Sequence, residues 1–182
     1  MSQIHILPNS SRNICTVCKW LTIVGALALG LQLIFGNGLD EIVNKHWNML
    51  SLEIRENTTY SNPKKIAVFA LASLDFIGMY LLAFAIWRIF NSLVKHGPFS
   101  IDISKALSFM GLAIIIASLL NIIAPTLMAL AITYDNPPQM HVLTIQLSAG
   151  AISMLFIGIV IRILGKIMLQ ASHIADENRQ FV

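Results

Sequence analysis

An acidic residue within an apolar stretch is the first candidate for chemistry in this chain. Asp75 lies in the segment SLDFIGMY, roughly 13 Å along an apolar run that begins near Ile66, taking a rise of about 1.5 Å per residue. A charged side chain within a membrane span costs on the order of 2.5–3.5 kcal/mol and usually faces the protein interior. Asp75 therefore has two interpretations: a site for a cation or proton, and a hydrogen-bonded polar clasp between helices.

Four further polar residues fall at depths comparable to that of Asp75 if the other apolar runs are helices that cross a membrane. They are Gln32, Asn121, Thr126 and Ser148. Together with Asp75 they form the predicted intramembrane polar cluster. The basic residues within the apolar runs lie near the ends of the runs and not at the depth of Asp75. The cluster is therefore weak support for transport, and the clasp is the favoured interpretation.

The cysteines and histidines do not form a recognisable metal or redox motif. Cys15 and Cys18 are spaced C-x-x-C, but a structural zinc site needs four ligands. We interpret them as structural or incidental, with redox sensing or palmitoylation as alternatives. A membrane haem needs axial histidines inside the spans, and all five histidines lie outside them: His5, His46, His96, His141 and His173. No nucleophile elbow or phosphate loop occurs, so we expect no enzyme, no cofactor and no metal.

The composition places these residues in a membrane protein. Of the 182 residues, 56% are hydrophobic and 12% are charged, and the mean hydropathy is +0.73; soluble domains carry roughly 25% charged residues. Four apolar runs each reach the ~20 residues that cross a bilayer, which predicts spans at about 17–35, 66–90, 107–133 and 142–168. Because the runs lack alternation, they exclude a barrel. The predicted fold is all-α, an integral membrane four-helix bundle forming a single domain over residues 1–182.

The distribution of Lys and Arg predicts the orientation. The net charge is +3. An even number of spans places both termini and the connection between the second and third spans on the same side of the membrane, and most Lys and Arg residues lie at the span ends on that side. We interpret this as a topology signal that puts both termini and a tail at 170–182 in the cytoplasm. On the other side, apolar residues at three- and four-residue spacing over about 39–56 predict an amphipathic helix. We expect it to cover the ends of the spans, with partner binding as the alternative.

The connection between the second and third spans carries the most distinctive local motif. Its Gly-Pro pair is expected to end one helix, because proline lacks the N–H donor and restricts the residue before it. Ser100 is expected to cap the next helix, with Asp102 in the first turn. The predicted cytoplasmic loop motif comprises Lys95, Gly97, Pro98, Phe99 and Ser100.

This loop and the carboxyl end resemble a bacterial membrane family catalogued as domain of unknown function 2975. The segment 97–100 is similar to a G-x-P-F-S connection of that family, and Phe181-Val182 is similar to its Leu-Thr-Val ending. Here glycine directly precedes proline, Arg179 stands where aspartate is usual, and Phe181 replaces threonine. The resemblance implies a four-span fold with no established activity, in a family whose members are often encoded beside a small helix-turn-helix regulator.

These observations together predict a multi-pass protein of a bacterial inner membrane. Its expected function is that of a regulatory or protein-interaction module acting through the cytoplasmic loop and tail. The expected partners are the lipid bilayer and a cytoplasmic protein such as a helix-turn-helix regulator, without direct contact to nucleic acid. The alternative is a small transporter or channel subunit in which Asp75 handles a cation or proton; such a bundle would need to assemble as a homo-oligomer.

Overall fold

The four apolar runs form four long helices. The structure is a computed structural model, and it describes residues 8–35, 41, 44, 47–48, 52–57, 62–98, 100–134, 136 and 147–180. The helices are α1 (Asn9–Phe35), the short α2 (Leu52–Asn57), α3 (Asn62–His96), α4 (Ile101–Thr133) and α5 (Ala149–Gln180). Each long helix contains a segment that is apolar and long enough to cross a membrane. The predicted all-α, four-helix membrane fold is therefore confirmed.

The long helices pack in the order α1, α3, α4, α5. The central helix α4 packs along α3 on one side and along α5 on the other, and α1 packs against α3. Close contacts fix the antiparallel register: Gly78 of α3 lies against Ala117 of α4, and Gly111 of α4 lies against Arg162 of α5. We call the end where α3 leads into α4 the loop end, and the opposite end, where α4 finishes, the Tyr134 end.

The three longest helices are longer than a whole bilayer, which is about 40–45 Å thick with its headgroup regions. α3, α4 and α5 have 35, 33 and 32 residues, which corresponds to about 48–53 Å at a rise of about 1.5 Å per residue. The hydrocarbon core of a bilayer is about 30 Å thick. Parts of all three helices therefore extend beyond the hydrocarbon layer.

Small residues spaced seven apart line the contact between α4 and α5. A spacing of seven keeps residues on one face of a left-handed helix pair. The buried small residues are Ser104, Gly111 and Ser118 on α4, and Ala151, Gly158 and Gly165 on α5. A Cβ atom added at Gly165 would lie 2.7 Å from the Cα of Ser108, and one added at Gly111 would lie 2.6 Å from the Cα of Arg162. The two backbones are thus in direct contact at these glycines.

The segment predicted as an amphipathic helix at about 39–56 is described in part. Glu41, Asn44, Trp47 and Asn48 are helical, as is α2, and the remaining residues lie outside the described part of the chain. Trp47 is half-buried and packs against the buried Val68 of α3 and Ile132 of α4. This contact lies near the Tyr134 end and is the type of contact expected of a segment that covers the ends of the spans.

The last helix begins later than the predicted fourth span, and beyond residue 168 it continues into the predicted tail. The fourth span was predicted from about 142, but Leu147 and Ser148 are not helical, α5 begins at Ala149, and residues 142–146 lie outside the described part of the chain. Ser148 provides the physical reason, because its hydroxyl oxygen accepts a hydrogen bond from the backbone N–H of Ala151 at 3.1 Å and so caps the helix. At its other end α5 continues as one helix to Gln180.

Candidate functional site

Asp75 lies on the face of α3 that contacts α4. It is one turn from Ala72, which packs with the buried Ala124 of α4, and one turn from Gly78, which lies against Ala117 of α4. The register therefore places Asp75 at the level of Asn121. The Asp75 side chain is half-buried, and its Oδ1 atom is fully buried. The carboxyl group thus lies at a helix contact within a membrane-spanning segment, where such groups usually stabilise helix packing or handle an ion.

The other four residues of the predicted polar cluster do not lie together in one site. A cavity of about 320 Å³ opens between α4 and α5, with Leu82 of α3 at its edge, and its lining includes Ala117, Ser118, Asn121, Ser148, Ala151 and Met154. Asn121 and Ser148 therefore share one cavity. Gln32 is exposed and borders a different groove, between α1 and α3. Thr126 donates a hydrogen bond from its hydroxyl group to the carbonyl oxygen of Ile122 in its own helix, at 3.4 Å.

Ser118 is a polar residue of this cavity that is not part of the predicted polar cluster. It is buried, and its hydroxyl group donates to the carbonyl oxygen of Ile114 at 2.8 Å. Its position three residues before Asn121 is the signal that could have identified it, because residues three apart lie on the same helix face.

The loop motif forms a tight connection in which both adjoining helix ends are capped. Gly97 has a φ of 78°, and its N–H donates to the carbonyl oxygen of Leu93 at 3.2 Å, closing α3. Ser100 caps α4 by accepting from the N–H of Ile103 at 3.3 Å, and its hydroxyl group donates back to the carbonyl oxygen of Gly97 at 3.3 Å. Pro98 lies between these two hydrogen-bonded residues, and Phe99 lies outside the described residues. The predicted N-cap is confirmed.

Charged groups surround this connection. The Nδ1 atom of His96 lies 3.3 Å from Oδ2 of Asp102, and both side chains are about half exposed, so the contact links the end of α3 to the first turn of α4. An exposed pair of this kind contributes about 0–1 kcal/mol. Lys95 and Lys105, on either side of the connection, are also exposed. The loop end therefore presents a charged surface on a connection held by its backbone caps.

A lysine and a tryptophan join α1 to α3 near the same end. Lys19 of α1 donates a hydrogen bond from Nζ to Oδ1 of Asn91 at 2.9 Å, and the same Nζ atom lies 5.6 Å from the ring centroid of Trp87. Phe84 stacks against Trp87 with ring centroids 5.8 Å apart. Attraction between the ammonium group and the indole face adds to the hydrogen bond. The Lys19 side chain is thus held in a defined position.

A second cation packs on an aromatic ring between α3 and α4. The guanidinium carbon of Arg88 lies 5.1 Å from the ring centroid of Phe109, and Phe109 meets Phe84 edge-on at 5.9 Å. From the sequence, Lys19 and Arg88 are interpreted only as topology signals, and these contacts are not predicted. The available signal was aromatic residues near basic ones at the ends of apolar runs, a pattern typical of membrane interfaces.

Cys15 and Cys18 are free thiols, both half-buried, on α1. Within the part of the chain that the structure describes, no three His, Cys, Asp or Glu residues are grouped to hold a metal ion. His96 and His173 are described, and His5, His46 and His141 lie outside the described residues.

Comparison with known protein families supports the resemblance noted for the loop and the tail. Residues 49–181 match the model of a family described as "Protein of unknown function (DUF2975)". The chain belongs to this family. The matched range includes α2, α3, α4 and α5 and begins after α1. No curated protein and no solved structure matches the chain.

Proposed function

We propose that this DUF2975 protein is a regulatory or protein-interaction module of a bacterial inner membrane, rather than an enzyme, and that it acts through its loop end. The charge distribution supports a cytoplasmic loop end, because Lys and Arg near spans accumulate on the cytoplasmic side. The described basic residues of the long helices lie mainly towards that end: Arg12, Lys19, Arg88, Lys95, Lys105, Arg162 and Lys166.

The observation that carries the proposal is the reach of α5. Gly111 of α4 lies against Arg162 of α5, and extending this antiparallel register places Ile101, the first residue of α4, level with Ser172. The helix continues to Gln180, which adds about 12 Å at roughly 1.5 Å per residue. The last two turns of α5, residues 173–180, therefore stand beyond the start of α4. We call them the projecting segment.

The described side chains of the projecting segment suit contact with another protein. Ile174 is 59% exposed, and the neighbouring His173 and Glu177 are also exposed. An apolar side chain among polar ones is the usual composition of a protein contact, with an apolar centre and a polar rim. Exposed Lys95 and Lys105 add positive charge at the same end. The expected partner is a cytoplasmic protein, and the resemblance to the family makes a small helix-turn-helix regulator the first candidate.

Site-specific photocrosslinking in intact bacterial membranes tests this proposal. A photoreactive amino acid replaces Ile174 in the projecting segment and, as a matched control, Ile152, an exposed isoleucine at the other end of α5. We expect one defined cytoplasmic protein to crosslink from position 174 and not from 152. Truncation after Gln170 should abolish its co-purification, and Asp75→Asn should leave it unchanged. Equal crosslinking from both positions, or co-purification that survives truncation, would contradict the proposal.

The cavity beside Asn121 favours a second candidate, a small cation or proton transporter. Asn121, Ser118 and Ser148 give this cavity polar groups within the spans, and Asp75 lies at the level of Asn121 on the neighbouring helix. Flux measured in proteoliposomes tests this candidate. Transport predicts that Asp75→Asn abolishes the flux while Asp102→Asn, which removes a carboxylate at the loop end, does not. An interaction module predicts no protein-dependent flux in either variant.

A further inference from the structure

An apolar groove runs between α1 and α3, and its lining residues are distinct from the projecting segment of α5. Its volume is about 570 Å³. Apart from the polar groups of Thr22, Tyr80 and Trp87, its lining is apolar; the residues that shape it are Ala26, Gly30, Tyr80, Ala83, Phe84 and Trp87. On α1 the lining extends from Thr22 to Leu31, which is about 13 Å along the helix axis.

The two ends of the groove differ in chemistry. At the end nearer the Tyr134 end of the molecule, the hydroxyl oxygen of Tyr80 lies over Gly30, where an added Cβ would come within 2.6 Å of it. At the loop end, Trp87 forms part of the wall, and the ammonium group of Lys19 lies over its ring. The groove is therefore apolar along its length and has a cation at one end.

The charge around the Lys19 end is positive. Arg12 and Lys19 are seven residues apart and so share a face of α1, and Lys95 lies one turn beyond Asn91, the hydrogen-bond partner of Lys19. α1 contains no acidic residue, and Asp75 is the acidic residue of α3. A lysine ammonium group has three donors, and the described contact with Asn91 uses one of them. The position is suited to an anion.

We propose that this groove binds one anionic phospholipid, with an acyl chain between α1 and α3 and the phosphate group at Lys19. Basic pockets between membrane helices bind anionic head groups in this way, and tryptophan rings favour the same depth. The exposed Leu27 and Leu31 border the groove, so it opens towards the bilayer. Lys19 is already positioned by Asn91 and Trp87, which reduces the ordering that binding requires. A free phosphate ion would use Lys19 but not the apolar groove.

Native mass spectrometry of the full-length protein tests the head-group contact. The protein is purified in mild detergent and mixed with phosphatidylglycerol and phosphatidylcholine of identical acyl chains. We expect one phosphatidylglycerol to be retained in preference to phosphatidylcholine. Lys19→Gln should reduce this preference about fivefold, since one basic residue near an anionic surface contributes an effect of about this size. Lys166→Gln, which removes an exposed lysine of α5 towards the same end, should not reduce it.

A second pair of variants tests the acyl chain. Ala83→Phe places a large side chain in the groove, and Ala70→Phe places the same side chain at an exposed position on the same helix. We expect Ala83→Phe to lower the retained amount of both lipids and Ala70→Phe to leave it unchanged. The proposal is overturned if Ala83→Phe keeps the bound lipid, if Lys166→Gln matches Lys19→Gln, or if millimolar inorganic phosphate displaces the lipid completely. The last result would show an anion site only.

Discussion

Substitution of Gly165 by alanine should weaken the contact between α4 and α5. The added Cβ would lie 2.7 Å from the Cα of Ser108 and 3.0 Å from the carbonyl carbon of Leu107. Both are backbone atoms, so no side-chain rotation can relieve the overlap. An ordinary contact between carbon atoms is about 3.5–4.0 Å, and the two helices would therefore have to separate by on the order of 1 Å.

The expected change in the free energy of unfolding combines a loss from overpacking with a smaller gain from helix propensity. Overpacking of a closely packed contact typically costs about 1–3 kcal/mol, whereas replacing glycine by alanine in a helix contributes roughly 0.5–1 kcal/mol in favour of folding. We expect Gly165→Ala to lower the free energy of unfolding by about 1–2 kcal/mol. Gly150→Ala is the matched control on the same helix, because an added Cβ there meets no atom within 4 Å. It should be neutral or stabilising.

Steric trapping of the doubly biotinylated protein in bicelles measures the free energy of unfolding of each variant.

A further expectation concerns Gly111, which contacts α5 at the backbone of Arg162. Once one substitution has moved the two helices apart, the Cβ atom added by the second substitution overlaps less with the facing backbone. The Gly111→Ala/Gly165→Ala double variant should therefore lose less stability than the sum of the single variants. If Gly165→Ala is as stable as Gly150→Ala, the backbone contact inferred for α4 and α5 is refuted.

Three further predictions concern the connection and the Tyr134 end, each checked by the same free-energy measurement. Gly97→Ala should lower stability by about 1–2 kcal/mol, because an L side chain is disfavoured at its φ of 78°; an unchanged value would contradict that backbone conformation. Ser100→Ala should cost about 1 kcal/mol through loss of the N-cap, and Ser100→Asp should restore most of it. Trp47→Ala should cost about 1–3 kcal/mol by exposing Val68 and Ile132, whereas Trp20→Ala, at a site 60% exposed on α1, should cost less.

The sequence was sufficient to predict the long helices and the loop caps because both depend on local chemistry. An apolar run that crosses a bilayer must be helical, since lipid offers no hydrogen bonds to the backbone. Gly97 and Ser100 end and begin helices through bonds to residues at most four positions away. The start of α5 was predicted too early because the apolar run continues before Ser148. The hydropathy of a segment does not show at which residue an N-cap begins the helix.

The composition of the polar cluster could not be predicted because depth in the membrane does not determine direction around a helix. Gln32 and Asn121 occur at comparable depths, but Gln32 borders a groove between α1 and α3, whereas Asn121 lines the cavity between α4 and α5. The direction depends on which helices pack together, and this packing follows from contacts such as that of Gly165 with Ser108. Small residues spaced seven apart carry this information, but the spacing alone does not say which two helices meet.

The two proposed surfaces are built by different parts of the molecule, and this makes them separable by experiment. The family match begins at residue 49 and includes the helix that carries Ile174, whereas α1, with Lys19, lies outside it. α1 packs against α3, and Ile174 lies on α5, at the other side of the row of helices. Lys19→Gln should therefore leave the crosslink from position 174 unchanged. If that crosslink disappears together with the bound lipid, the groove and the projecting segment are coupled through α3 and α4, and the lipid would then regulate the partner.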